Sequence, residues 1–313
     1  MSLLLAITGW DPEPWLARFR AAAPGRMIVD SRSTYDPASI RHAIVWKPKP
    51  GLLANLPNLQ AIHNLGAGVD ALLQDRTLPD VPICRIINPD LTARMSEFIA
   101  MNCLMHLRHV SAYREQQARH VWAGIPQPAA RDVRVGIMGM GVLGKDAAEV
   151  LLRLGFRVSG WSRTRAVMHE VKSYAGAGEL DDFLASTDIL VVLLPLTPNT
   201  RHILDAGLFA KLARDGALGG PVLINAGRGG LQNEADLITA LTDGTLKAAS
   251  LDVFETEPLP ANSPFWALPN VVLTPHSAAD STPEALVAGI VVNIERYEAT
   301  GRLEDMVERA RGY

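Results

Sequence analysis

Short apolar runs alternate with helical patterns along nearly the whole chain. In the first third, strands are expected at Leu3–Thr8, Met27–Asp30, Ala43–Trp46, Leu59–Asn64 and Ile83–Ile87. Glycine- and proline-bearing connections such as WKPKPG and NLGAGVD punctuate them. Met95–Val110 (MSEFIAMNCLMHLRHV) is apolar nearly all round, which predicts a long helix buried between two bodies. A second alternating series begins at Arg134, with strands expected at Arg134–Met138, Arg157–Trp161, Asp188–Leu194, Val222–Asn225, Ala248–Asp252 and Val271–Thr274. DILVVLLP, six apolar residues between an aspartate and a proline, marks a strand covered on both faces, and Val271-Val272-Leu273 reads as buried too. The last helix starts at STPEA. Either Ser281 and Glu284 form a capping box, or Thr282 caps and Pro283 takes the first helical position. Leu286, Ile290, Ile294 and Tyr297 share one face, and Gly301 stops the helix. The alternation predicts an α/β protein with two parallel-sheet domains of the Rossmann-like/flavodoxin-like kind and a cleft between them.

Composition narrows the function classes. Thirty basic and thirty-three acidic side chains among 313 residues leave a net charge of −3, so no positive field favours nucleic acid or a membrane surface. Cys84 and Cys103 have neither disulfide-framework nor metal-ligand spacing, and no metal is expected. MSLLLAITGW lacks a basic leader and reads as a first strand rather than a signal peptide. No apolar run approaches the ~18 residues of a membrane span. A cytoplasmic setting is expected.

VGIMGMGVLGKDAAEVLLRLGF places Gly139, Gly141 and Gly144 in a G-x-G-x-x-G pattern between a strand and a helix. Those glycines permit a tight turn, a backbone approach to pyrophosphate and close helix–strand packing. Met140, Val142 and Leu143 complete the expected cofactor loop, with Leu194, Pro195, Ala226 and Gly227 further along the domain. The next strand ends in GWSRTR, with Ser162 roughly where an NAD site carries an acid, followed by Arg163 and Arg165. A hydroxyl and guanidinium groups suit a 2′-phosphate, so NADP(H) is preferred and NAD(H) is expected to bind more weakly.

Three stretches after later strands carry candidate chemistry: Arg228 in INAGRGG, Asp252 and Glu257 in SLDVFETEPLP, and His276 in TPHSA. Singly, each has a structural alternative: a loop arginine, a turn residue before a proline, a histidine filling a strand end. Together they suggest reduction of an anionic carbonyl compound. Arginine would hold a carboxylate and polarise the ketone, histidinium would protonate the forming alkoxide, and glutamate would orient the imidazole and favour its charged form.

NAGRGGLQNEADL, LDVFETEPLPANSPFWALPNVVLTPHSAA and the glycine motif resemble the signatures of the D-isomer-specific 2-hydroxyacid dehydrogenase family, over most of Arg134–Ala279. The resemblance implies Arg228 as substrate anchor, His276 as acid/base, Glu257 as its partner and Asp252 as a contact of the nicotinamide carboxamide. It also implies that Leu65, Gly66, Ala67 and Gly68 bind the substrate, with backbone N–H groups around Ala67 and Gly68 taking its carboxylate. Such folds interleave their domains, which here gives a substrate domain of residues 1–98 and 287–313 and an NADP-binding Rossmann domain of 99–286. Asn233 stands where the family usually writes an aspartate.

IVWKPKPG, GIMGMGVLG and WSRTR are most similar to the glyoxylate/hydroxypyruvate reductase A branch. That implies NADPH-dependent reduction of glyoxylate to glycolate and of hydroxypyruvate to D-glycerate, with Trp46 near the substrate unless it merely packs under the first sheet. It further implies a homodimer whose interface includes the long helix and Trp122. Two alternatives stay open: a reductase of bulkier 2-oxo acids such as phenylpyruvate, and a dinucleotide-sensing regulator without turnover.

Overall fold

The apolar runs assemble into two sheets in which every neighbouring pair of strands is parallel. The computed structural model describes residues 2–313. The chain forms two compact units: residues up to Leu91 together with Ser281–Tyr313, and Thr92–Asp280. These breaks come one to two helical turns before the 98/99 and 286/287 divisions expected from the sequence.

The first unit is built on five strands, β1 (Ser2–Ile7), β2 (Met27–Asp30), β3 (Ile40–Trp46), β4 (Ala61–Asn64) and β5 (Ile83–Cys84), in the order β2-β1-β3-β4-β5. That is the flavodoxin-like order, with a topological switch between β1 and β3. Successive β1 side chains leave on opposite faces. Leu3, Leu5 and Ile7 join Trp15, Leu16 and Phe19 of α1 (Glu13–Ala22) and Leu286, Ile290 and Ile294 of α9 (Pro283–Thr300). Leu4 and Ala6 face Val45, Leu53 and Ile62 on the other side. Of the two expected starts for α9, the second has the right register, with Thr282 at the N-cap position and Pro283 first in the helix, but the Thr282 side chain makes no capping hydrogen bond. Glu284 instead pairs with Arg18 at 2.6 Å. Gly301 ends the helix in a left-handed conformation, φ 70°.

The second unit orders seven strands as β12-β11-β10-β9-β6-β7-β8. They are β6 (Arg134–Met138), β7 (Arg157–Ser162), β8 (Lys172–Ala175), β9 (Ile189–Val192), β10 (Val222–Asn225), β11 (Ala248–Leu251) and β12 (Val271–Leu273). The switch point lies between β6 and β9, where a doubly wound sheet takes its dinucleotide. Every residue of β9 is buried, as DILVVLLP predicts. Asp188, just before it, is buried and fixed by the Arg134 guanidinium at 2.6 Å.

Three expectations need correction. KSYA gives no apolar alternation, yet Lys172–Ala175 forms the edge strand β8. Val271–Leu273 is the opposite edge and only half-buried, because one side of it has no neighbouring strand. The long helix is not covered all round. It runs as α3 (Pro89–Leu107), stops at His109 with φ 54°, and resumes as α4 (Val110–Ala118). Met95, Ile99, Cys103 and Leu107 enter the core beside Val135, Ile137 and Leu151, while Met101 on another face is 52% exposed.

The first unit also buries two imidazoles. His63 Nε2 lies 3.3 Å from His42 Nδ1, and neither residue is exposed by more than 1%. Burial lowers His42 to about 4, against the pull of the Glu298 carboxylate. Burial, with His42 alongside, lowers His63 to about 3. Both rings are neutral in the fold, whereas in the unfolded chain they take up protons below about pH 6.5. Their contribution is therefore complete above that pH and is lost as pH falls toward 4, on the order of 2 kcal/mol per ring at pH 5. Denaturant midpoints are expected to fall between pH 7 and 5, and to fall less steeply in His63→Leu. An equal slope in that variant would show that His63 does not couple folding to pH.

Candidate active site

The glycine loop has the geometry of a dinucleotide cradle. Gly139 follows β6 with φ 109°, and a Cβ there would lie 2.7 Å from the Leu193 carbonyl oxygen. At Gly144, in the first turn of α5 (Val142–Arg153), a Cβ would come within 2.0 Å of the Gly139 carbonyl oxygen. Only hydrogen fits at either position. Gly141 differs, because a Cβ there meets nothing within 4 Å. It is the N-cap of α5 and supplies no side-chain cap, so the N-terminal dipole of a twelve-residue helix opens onto free space. These residues fit a pyrophosphate. Met140 contributes backbone alone, since its thioether packs against Gly160 in the core. Val142 is exposed and Leu143 half-buried. Leu194 and Ala226 are buried, and Gly227 leaves no room for a Cβ against the Leu194 carbonyl oxygen, 3.0 Å away.

Ser162 is the last residue of β7, and its hydroxyl donates to the Thr164 carbonyl at 2.7 Å. Arg163 is exposed. Arg165 reaches instead to the edge strand, donating to the Ser173 carbonyl and the Glu179 carboxylate. The Ala175 N–H, and after it Arg165, hold Glu179 below the usual carboxylate range.

Three loops at the carboxyl ends of β10, β11 and β12 are tied into one assembly. Arg228 follows β10 and donates from Nη1 to the Gly227 carbonyl at 2.7 Å. Behind it, the Asn225 side chain donates to Gln232 Oε1 at 2.9 Å and accepts from the Gly227 N–H at 3.1 Å. Gln232 passes the connection on, donating to the Val253 carbonyl at 3.1 Å. Gly229 lies flat against the next loop, where a Cβ would be 1.9 Å from the Phe254 carbonyl oxygen.

Asp252 joins the second loop to the third. Its carboxylate is buried and accepts from the Thr274 hydroxyl at 2.6 Å, the Ser277 N–H at 2.9 Å and the Ala278 N–H at 3.1 Å. Its carbonyl accepts from the His276 N–H at 2.8 Å. His276 stands between those anchors with φ 54° and a half-exposed ring. Its Nδ1 is 2.8 Å from Glu257 Oε2, while Oε1 of the same carboxylate accepts from the Phe254 N–H at 3.1 Å. The ring is thereby oriented with Nε2 as the atom left to act. Asn233, the departure from the usual aspartate, caps α8 (Glu234–Thr242) by accepting from the Asp236 N–H at 3.2 Å.

In the first unit, the loop after β4 has its own clamp. Asn64, buried at the strand end, donates to the carbonyls of Gly66 and Gly68, each at 2.9 Å. A trans peptide points its N–H opposite its carbonyl, so the N–H groups of Ala67 and Val69 face away from Asn64. Leu65 is buried, and Trp46 closes over Gly66, where a Cβ would be 2.5 Å from Cζ3 of the indole.

Asn64, Asn225 and Gln232 lie within the quoted motifs, but the motifs assign them no role. Each is a polar side chain less than 5% exposed, and Asn64 and Asn225 end fully buried strands. Among the described residues there is no cluster of metal-ligating side chains, and no helix is long and apolar enough to cross a membrane. Asp252→Ala is expected to leave the Thr274 hydroxyl and two backbone N–H groups without their acceptor and to cost about 3 kcal/mol of stability. Denaturant unfolding measures this, and a loss within experimental error would show that the three bonds do not hold the loop.

The chain is similar to known proteins over its full length. The profile described as D-isomer specific 2-hydroxyacid dehydrogenase, NAD binding domain, matches residues 100–278. A glyoxylate/hydroxypyruvate reductase A from Yersinia enterocolitica is 36% identical over the full length of both chains. A crystal structure of an NADPH-dependent glyoxylate/hydroxypyruvate reductase from Sinorhizobium meliloti, solved with NADP and sulfate, is 47% identical, with a TM-score of 0.95 over 100% of this chain and 99% of that one. A probable 2-hydroxyacid dehydrogenase from Rhizobium etli, solved with NADP, HEPES and L(+)-tartaric acid, is 46% identical, with a TM-score of 0.94 over the same shares. With the profile covering more than half of it and a full-length relative above 30% identity, this chain belongs to the D-isomer specific 2-hydroxyacid dehydrogenase family.

Proposed function

We propose that the protein reduces small 2-oxo acids with NADPH, converting glyoxylate to glycolate and hydroxypyruvate to D-glycerate. The observation that carries this reading is the His276–Glu257 pair at 2.8 Å, on loops bound to the one that carries Arg228. The relatives from Yersinia enterocolitica and Sinorhizobium meliloti, both named as reductases of these substrates, support it.

When bound, the reduced nicotinamide supplies a hydride for the carbonyl carbon. Arg228 holds the substrate carboxylate and draws electron density from the ketone. His276 delivers a proton from Nε2 to the carbonyl oxygen, so the 2-oxo acid gains a hydride and a proton and leaves as the 2-hydroxy acid. Glu257 orients the imidazole and balances its charge. In the first unit, the N–H groups of the Ala67–Gly68 segment are the candidates for binding a substrate carboxylate. Ser162, Arg163 and Arg165 hold the 2′-phosphate, for which Arg165 exchanges its Glu179 partner. Asp252 faces two demands, because the carboxylate expected to meet the carboxamide already binds three donors of the His276 loop. Holding that loop is the role its bonds support.

The partner is a second copy of the chain. Met101, Val110, Val121 and Trp122 form a run of exposed apolar side chains on and after the long helix, with Trp122 fully exposed. Trp122→Glu is expected to shift sedimentation from dimer to monomer. An unaltered profile would place the interface elsewhere.

NADPH consumption with glyoxylate, followed by absorbance, tests the activity. His276→Ala and Arg228→Ala should each lower kcat/KM by roughly 10²–10⁴-fold. Turnover of phenylpyruvate alone would favour the bulkier-substrate alternative, and tight NADPH binding without any turnover would favour a regulator. The double change Arg163→Ala with Arg165→Ala should weaken NADPH binding roughly tenfold or more and leave NADH binding nearly unchanged. Equal losses for the two cofactors would overturn the phosphate assignment.

A further inference from the structure

Three tryptophans meet at the carboxyl ends of the first sheet. Trp10, in the loop after β1, stacks on Trp46 at the end of β3, with ring centroids 4.5 Å apart and planes 14° apart. Its ring also stacks on Trp15 of α1, at 5.7 Å and 12°. Trp15 is buried to 9% exposure, whereas Trp10 is 43% exposed. The order is thus a core anchor, a surface bridge and then Trp46. The Trp46 indole ends against Gly66, the close approach that forbids a Cβ there. Two further contacts hold Trp46: its carbonyl accepts from the Thr8 N–H at 3.0 Å, and the Lys47 ammonium lies 5.7 Å from its ring. Lys47 itself has φ 44°, so the chain turns sharply just beyond the indole.

This ladder sits at the β1/β3 switch point of its sheet, where ligands of open α/β sheets bind. A half-exposed tryptophan costs solubility and contributes less burial than Trp15 does. Its position is accounted for by what it presses on. From these contacts, and resting on the proposed reduction of 2-oxo acids, we infer that Trp10 is a specificity-positioning residue. It pins the Trp46 indole over Gly66, and the pinned ring walls the substrate loop so that small 2-oxo acids fit and aryl ones do not. Trp10 touches no substrate in this scheme and acts only through Trp46.

The test compares kcat/KM for glyoxylate and phenylpyruvate in the wild-type enzyme, Trp10→Leu, Trp10→Phe and Trp46→Ala. Circular dichroism is recorded alongside, because parallel indoles this close give a coupled exciton signal. In Trp10→Leu, which keeps apolar cover over α1, the glyoxylate preference should fall about tenfold, the order a pocket-shape change produces. The exciton signal should disappear. Trp10→Phe should also lose the signal yet keep the preference within about threefold, since a flat ring still supports Trp46. An unchanged preference in Trp10→Leu with the signal lost overturns the inference. If Trp46→Ala alone shifts the preference, the functional reading stands and the support role of Trp10 falls. A wild-type enzyme that turns over no 2-oxo acid takes down both.

Discussion

The carboxylate of Asp252 is the constraint on which the candidate chemistry depends. Its two oxygens collect the Thr274 hydroxyl and the N–H groups of Ser277 and Ala278, while its backbone carbonyl takes the N–H of His276. A buried anion needs such donors, because burial without them costs several kcal/mol. The loop needs the anion equally, because a chain leaving a half-buried edge strand has no ladder partner on one side to fix it. Each satisfies the other, and the imidazole is placed as a consequence. Asn225 and Gln232 do the same for the Arg228 loop with neutral groups. Arg228, Glu257 and His276 are all at least partly exposed, whereas Asn225, Gln232 and Asp252 behind them are buried.

A cofactor site and a substrate loop ask different things of glycine. At Gly144 and Gly229 a methyl group would run into backbone, so glycine there is a packing requirement of helix against strand and of loop against loop. At Gly141 there is no such conflict, since a Cβ there would meet nothing within 4 Å, which is the clearance a pyrophosphate would need. The G-x-G-x-x-G motif therefore mixes structural and ligand-facing positions, which spacing alone does not distinguish.

Much of the architecture was legible because it rests on local chemistry. Six apolar residues flanked by Asp188 and Pro195 predict the buried β9, and Pro283 and Gly301 bracket α9. What the sequence conceals is mainly long-range. KSYA lacks a strand pattern, because only Tyr174 of its four residues is buried and β8 is otherwise held by its pairing with β7 and by Glu179. The Met95–Val110 run hides the break at His109, since neither glycine nor proline marks it. Arg228, Glu257 and His276 could be picked out as chemically apt residues on strand-end loops. The bonds by which Asp252 holds the His276 loop could not, because it meets its donors 22 to 26 residues away in the chain. Trp10 is the same case: a tryptophan beside a glycine says nothing of an indole thirty-six positions on.

His276 holds a left-handed backbone, φ 54°, which glycine accepts readily and most other residues adopt uncommonly. If His276 is the proton donor proposed above, exchange for glycine here would run downhill in conformational energy toward a sturdier but inert protein, so its imidazole would persist only under continuing demand for turnover.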